Sequence, residues 1–509
     1  MKTTDGRIQK SMKNMIFSMS AYIITILLSF VERKVFVMTL PEEYLGISGV
    51  MTNILTILTI SELGLGEAIM FSMYKPIREK DQEKIIALLN MYKSAYRVIV
   101  LVIVAISAAF LPFLPRLIGS VSISLEEEYL IYALFVINTL DSYFGAYRRS
   151  TVIAYQERYV VSAIHGIARS IMYLLQIIIL VLLRNYLLSL CIAIISTFSE
   201  SLAIYHIAGV RYPVTKTHSK NKLPKDERKE IYRNIRAMAI HKLGGTCVTG
   251  TDNLLISWFV GVVQVGLYSN YVLIKSTIVT ITQSIFTSMA ASMGNLGNED
   301  KSYSYTVFNR IYFASSWLFG WCSVCLLCLY QNFISLWVGS NFLLDSSSKI
   351  LIVISFYLTG MRQPVLMTRE AFGLFWDDRW KAVAEAIVNL VASIALARVY
   401  GLNGIIMGTI ISTLVTCFWV EPYILFVRGF KRSCAEYFMR YMKYSFAMLV
   451  SYFATDYLCG SIVGISYLGF AIKIVICLVI PNIIYYVFSF RQQEFKYFSE
   501  KFLRKIFKK

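Results

Sequence analysis

Three charged residues, Glu32, Arg33 and Lys34, stand side by side in the outer half of an otherwise apolar run, YIITILLSFVERKVFVMTLP (Tyr22 to Pro41). Arg169 and Lys275 sit inside other apolar runs, as do the acids Glu62, Asp141 and Asp252. An ionisable group at the centre of a membrane helix costs about 2.5–3.5 kcal/mol on insertion scales, so each such residue faces a polar cavity or reaches outward to the headgroups. Within a cavity, basic groups could hold an anion, and carboxylates could carry a cation or a proton. Helical geometry sorts the opening triplet. Steps of three or four from Ser18 pass Tyr22, Thr25 and Ser29 and reach Glu32 or Arg33, a polar stripe along one face. At roughly 100° per residue, Glu32 and Arg33 fall within about 60° of Ser29, and Lys34 falls about 140° away. Glu32 and Arg33 are therefore expected to face a hydrated interior and Lys34 the outer headgroups. The competing reading is that Glu32 and Arg33 only hold two helices together.

The elements that must position these groups are membrane helices. The chain has 509 residues, 57% of them hydrophobic and 16% charged, and a mean hydropathy of +0.59. Its apolar runs approach 20 residues, the length that crosses a ~30 Å hydrocarbon core. Fourteen spans are expected: 17–40, 44–71, 95–114, 129–147, 159–183, 186–208, 238–260, 265–292, 310–330, 347–369, 380–399, 403–427, 438–457 and 464–489. The first run is too long for a cleaved signal peptide, and no small-residue cleavage site follows it. With the N-terminus inside, 41 of the 50 Lys and Arg fall in inner segments, and four (Arg116, Arg184, Lys349 and Arg398) fall in outer loops. That bias of about ten to one places both termini in the cytoplasm and accounts for the net charge of +19. Because the positive charge lies in short loops flanking spans, no nucleic-acid partner is implied.

Other polar stripes accompany the first. Thr52, Thr56, Thr59, Glu62 and Gly66 line one face of the second span, Asp141 accompanies Asn138 in the fourth, and Asp252 accompanies Thr249 in the seventh. A water-filled cavity accounts for all of them together. A shift of 220 residues places Ser29 on Thr249, Glu32 on Asp252, Arg33 on Asn253 and Gly46 on Gly266. Two parallel six-helix lobes related by an axis along the membrane normal follow, an arrangement suited to alternating access. The expected organisation is an N-terminal lobe over 1–209, a basic cytoplasmic linker over 210–235 and a C-terminal lobe over 236–428. Helices 13 and 14 follow over 429–489, then a basic amphipathic cytoplasmic tail over 490–509.

The run EEYLGISGVMTNILTILTISELGLGEAIMFSMYKPIREKD (Glu42 to Asp81) resembles the signature near the start of bacterial lipid-linked oligosaccharide flippases. These form the polysaccharide-transporter branch of the multidrug/oligosaccharidyl-lipid/polysaccharide exporter superfamily. The resemblance implies a non-enzymatic protein of the bacterial cytoplasmic membrane. It would move an undecaprenyl-diphosphate-linked O-antigen or capsule repeat unit from the cytoplasmic to the outer leaflet. It also implies that membrane lipids, a polysaccharide polymerase and glycosyltransferases are partners, that basic cavity residues meet the diphosphate, and that the last two helices guide the lipid tail. On that analogy Arg33 is the first residue assigned to phosphate, with Glu32 beside it. The chemistry agrees, since a planar guanidinium donates two parallel hydrogen bonds to phosphate oxygens. Arg169 is the second candidate. Lys275 is either a third or a partner of Asp252.

No Walker motif or other nucleotide site appears, so an ion gradient or removal of product outside must drive accumulation. A coupling cation, H⁺ or Na⁺, would ride on Glu62, Asp252 or Asp141; otherwise these acids are interhelical ion pairs. No catalytic constellation and no metal site is expected. Cys322, Cys325 and Cys328 have a cluster-like spacing but lie in an apolar span without a fourth cysteine in register. His165, His206, His218 and His241 all map near the cytoplasmic side. Phe495, Phe498 and Phe502 recur at helical spacing in the tail, as in an interfacial anchor. Two other classes compete with the flippase. A cation-coupled drug exporter of the same fold would favour carboxylates in the first lobe. A membrane glycosyltransferase or polymerase would carry a large outer loop, and LEEEYL (Leu125 to Leu130) is the one acidic cluster among short ones.

Overall fold

The structure is a computed structural model that describes residues 22–62, 65–119, 121–217, 223–229, 231–233, 235, 250–293, 301–372, 374, 380–462, 464 and 466–506. Those residues form helices and no strand. Among the described residues, eight helices are long and apolar enough to cross a membrane. The chain is thus an all-α, multi-pass membrane protein, as a bilayer demands of long apolar runs whose backbone groups must bond internally. The first part of the expected seventh span (238–249), linker residues 218–222, His218 and His241 lie outside the described residues. Packing divides the chain into two compact units, Met1–Gly266 and Leu267–Lys509.

The first unit begins with α1 (22–39), which stops before Pro41. It continues with α2 (Glu42–Leu58), α3 (Leu65–Glu79), α4 (Gln82–Ile118) and α5 (Leu125–Ser142). Next come α6 (Ala146–Ala154), α7 (Arg158–Leu183), α8 (Tyr186–Arg211) and α9 (Asp252–Phe259), then the first turn of α10 (Val262–Met293). Side-chain caps start three of these helices. Asp81 accepts from the Lys84 amide, Ser124 from Glu127 and Asn185 from Leu188, each satisfying one of the free N–H groups of a first turn.

The expected second span is not one continuous helix. The hydroxyls of Thr52, Thr56 and Thr59 donate back to the carbonyls of Ser48, Thr52 and Thr56 at 2.7, 2.8 and 2.8 Å. Such back-bonding bends helices, and after Leu58 the chain tightens into a 3₁₀ turn, Thr59–Glu62, before α3 resumes at Leu65.

Gly46 and Gly266, which the 220-residue shift superposes, meet here. A Cβ on Gly46 would lie 2.0 Å from the Val262 carbonyl oxygen, and one on Gly266 would lie 3.1 Å from the Gly46 amide nitrogen. Beside them Asn253 donates to the Gly49 carbonyl at 3.3 Å and to Asn53 Oδ1 at 3.0 Å, while Asn53 donates to the Gly250 carbonyl at 3.1 Å. Only a residue without a side chain permits this approach. Gly46→Ala is therefore expected to destabilise the protein by about 1–3 kcal/mol, the usual cost of overpacking. Gly460→Ala, whose added methyl meets nothing within 4 Å, leaves stability unchanged. Thermal unfolding of both variants in detergent checks the pair.

The second unit holds the rest of α10, then α11 (Lys301–Trp337), α12 (Ser346–Ala371), α13 (Lys381–Tyr400) and α14 (Leu402–Phe430). It ends with α15 (Ala435–Gly460), α16 (Tyr467–Ser489) and α17 (Gln493–Ile506). Gly404 and Gly408, one turn apart on α14, let that helix back directly onto Leu396 and Ser393 of α13, the small-residue packing favoured in membranes. α14 contains two π-helical turns, Thr413–Cys417 and Ile424–Phe430, on either side of Pro422. The tail helix α17 rests on protein. Phe495 stacks on Trp317 and Phe498 on Phe313, Arg310 lies 3.7 Å from the Tyr497 ring centroid, and Arg440 pairs with Glu494 at 2.7 Å. Phe495 and Phe498, two of the three aromatics of that spacing, pack on α11.

Candidate functional site

Five helices of the first unit surround a cavity of about 300 Å³. α1 contributes Glu32, Arg33 and Phe36, and α2 contributes Leu45, Ser48 and Thr52. α5 adds Leu134, Phe135 and Asn138, α7 adds Arg169, Met172, Tyr173 and Gln176, and α8 adds Tyr186, Ser189, Leu190 and Ala193. Lys34 is not among the lining residues, so the adjacent charges of α1 are divided by helical rotation.

The walls are held from outside the charged centre. Gln176 Nε2 donates to the Ser189 carbonyl at 3.0 Å and ties α7 to α8. The buried Tyr186 ring meets Phe36 and Tyr44 edge-on at centroid distances of 5.3 and 5.2 Å, locking the start of α8 against α1 and α2. Tyr173 stands within electrostatic reach of Glu32, Arg33 and Arg169 at once. Arg169 donates to Met172 Sδ at 3.4 Å and joins no ion pair among the described residues. Two guanidinium groups, each with five N–H donors, thus face one carboxylate in a space whose walls mix polar and apolar side chains. This is a site for an anion with several oxygens.

The other expected residues lie elsewhere. Lys275 of α10 belongs to the second unit and donates to Ser355 Oγ of α12 at 2.9 Å. Glu62, at the break between α2 and α3, accepts from the Tyr96 hydroxyl, and Tyr96 in turn receives a bond from Tyr92 at 3.2 Å. Asp141 lies near the end of α5, one turn beyond the cavity-lining Asn138, and Asp252 opens α9. Tyr173, Gln176 and Tyr186 are cavity residues that the sequence did not single out. The recurrence of Arg169, Tyr173 and Gln176 at steps of four and three was the available signal.

The second unit contains a different charged cluster. Arg362 of α12 donates two hydrogen bonds to Glu421 of α14 at 2.8 and 3.0 Å and lies 3.6 Å from Glu385 of α13. Lys381 also pairs with Glu421, whose side chain is fully buried. Cys322, Cys325 and Cys328 do not form a cluster of their own. Cys328 meets Cys459 and Cys477 from α15 and α16, with the three sulfurs within 4.8 Å of one another. Buried thiols of this kind pack as small apolar groups.

A family model described as polysaccharide biosynthesis protein matches residues 11–291. Among solved structures, the chain is similar to the lipid II flippase MurJ in an inward closed conformation. That likeness has a TM-score of 0.68 and 16% identity, over 93% of this chain and 98% of that one. It is also similar to a multidrug resistance MATE family transporter of the MOP superfamily in an inward-facing conformation. There the TM-score is 0.57 with 12% identity, over 80% of this chain and 97% of that one. The Vibrio cholerae MATE transporter VcmN gives 0.55 and 12%, over 83% and 97%. At these identities the likeness is one of fold. No curated protein sequence matches the chain.

Proposed function

The chain belongs to the polysaccharide biosynthesis protein family, and from that premise we propose that it is a lipid-linked oligosaccharide flippase. It carries an undecaprenyl-diphosphate-linked unit from the cytoplasmic to the outer leaflet of the bacterial plasma membrane by alternating access, without a catalytic step. The supporting observation is that Arg33 and Arg169, 136 positions apart in sequence, line one cavity. The arginines hold the diphosphate in the cavity, and the prenyl tail remains in lipid. The positive-inside distribution of charge sets the orientation, with both termini cytoplasmic, and fourteen spans complete the arrangement. A cationic drug would be repelled by the same pair of guanidiniums, which disfavours the exporter reading despite the shared fold. Deletion of the gene should leave lipid-linked sugar units accumulating in the inner leaflet, with export restored by the wild-type gene. Undiminished export without the protein would overturn the proposal.

Coupling rests on half-buried acids of the first unit. Glu62 bonds to a tyrosine and joins no ion pair among the described residues, a setting in which a carboxyl can exchange a proton or bind a cation. Asp252 is the second candidate and Asp141 the third. In vesicles under an imposed pH or sodium gradient, wild-type flipping should accelerate, while Glu62→Gln or Asp252→Asn should lose that response. If both variants respond as wild type does, the two acids are structural.

A further inference from the structure

One turn from the cavity, toward the N-terminus of α7, lies a second set of charges. Glu200 of α8 is 4% exposed and is held by two donors on separate oxygens. Arg149 Nη2 of α6 reaches Oε1 at 2.8 Å, and His165 Nδ1 of α7 reaches Oε2 at 3.0 Å. The donors are far more open than the acid they hold, with side-chain exposures of 32% for Arg149 and 51% for His165. An anion arriving from the open side therefore meets Arg149 and the His165 ring first and the carboxylate behind them. His165 and Arg169 are four residues apart, on one face of α7 and about 6 Å apart along its axis. Arg169 both lines the cavity and acts electrostatically on Glu200. Arg149, His165 and Arg169 thus form a graded series of donors that leads to the cavity.

We propose that Arg149 and His165 form an accessory anion-binding station, with Glu200 as its resident counter-ion: the phosphates of an arriving headgroup displace the Glu200 carboxylate and then pass to Arg169. This rests on the flippase reading of the cavity. The phosphate that displaces the carboxylate offers more oxygens and more charge to the same donors. No bond is made or broken other than hydrogen bonds. In the unloaded protein Glu200 balances the charge of Arg149, so neither a stranded buried acid nor a bare guanidinium has to be tolerated.

The test is binding by the full-length protein in nanodiscs, with farnesyl diphosphate and inorganic pyrophosphate as separate probes. Glu200→Gln removes the resident competitor and should tighten farnesyl diphosphate binding by about tenfold, the scale of one charged hydrogen bond. Glu157→Gln removes an acid of the same unit that is paired with Arg211 away from the station, and should change affinity by less than about twofold. Arg149→Gln and His165→Gln should each weaken binding, and they decide the question if Glu200→Gln does not fold. A purely structural triad predicts unchanged affinity in the Arg149 and His165 variants and no gain in Glu200→Gln. That result, or an equal gain in Glu157→Gln, overturns the station. If pyrophosphate shows the same gain, the station stands as a phosphate site open to free anions; a gain confined to farnesyl diphosphate identifies the lipid headgroup as its ligand. Absence of farnesyl diphosphate binding by wild type, or binding unaffected by Arg33→Ala, defeats the reading of the cavity itself.

Discussion

Arg33→Ala in reconstituted vesicles is expected to abolish flipping while the protein still inserts and purifies, whereas Lys34→Ala keeps the wild-type rate. The two residues are neighbours with the same formal charge, yet only Arg33 lines the cavity. Loss of one partner from a desolvated charge contact costs about 2–5 kcal/mol, which corresponds to a fall of roughly thirtyfold to several-thousandfold. Lys34, directed away from the site, has only a solvated or interfacial charge to lose. Arg33→Lys should recover part of the rate, since a point charge replaces a planar two-pronged donor. The measurement is the initial rate at which a fluorescent lipid-linked oligosaccharide becomes accessible on the far leaflet. Equal loss in both alanine variants would mean that net charge, and not the cavity, is what matters.

The second large effect concerns folding. Glu421 is fully buried and answers two cations, Arg362 and Lys381, from two other helices. Glu421→Gln leaves both facing a neutral amide, and breaking a buried pair in this way costs about 3–5 kcal/mol. That is a large share of the stability of an ordinary domain. The variant should accumulate poorly and unfold at a clearly lower temperature in detergent. Adding Arg362→Met should restore part of the loss, because it removes one of the stranded charges and keeps the volume. If Glu421→Gln accumulates and unfolds like wild type, the cluster does not hold α12, α13 and α14 together.

These two cases differ in how visible they were beforehand. Arg33 and Arg169 stand out because each interrupts a long apolar run, where a charge has no inexpensive explanation. Arg362 and Lys381 lie near the ends of apolar runs, where basic residues are ordinary, so a count of inner-side charges absorbs both. Glu421 precedes Pro422 close to the end of its run and is equally inconspicuous. The all-helical membrane class was legible because long apolar runs have few other solutions. The break after Leu58 was not, because a threonine stripe looks the same whether its hydroxyls face water or bond to their own helix. Tyr173, Gln176 and Tyr186 were hidden for a similar reason: polar aromatics and amides suit helix packing as well as a cavity wall. The docking of α17 was equally illegible, since aromatic spacing states that a face is apolar and leaves open what covers it.

The crossing of α2 with Val262 and Gly266 has a kinetic meaning that the charged cluster lacks. Contact there is made backbone to backbone, supplemented by two asparagine amides. Glycine has no rotamers to freeze, so Gly46 and Gly266 sacrifice no side-chain entropy when the crossing closes. Its close C–H to carbonyl approaches are worth only about 0.5–1 kcal/mol each, near thermal energy. A seam of that kind can part and re-form quickly and many times without wear on the rest of the packing. A seam stitched by Arg362, Lys381 and Glu421 would stay shut on the same timescale. Rapid opening therefore suits the glycines, and a substitution that adds a methyl there should hinder re-closure even in molecules that fold.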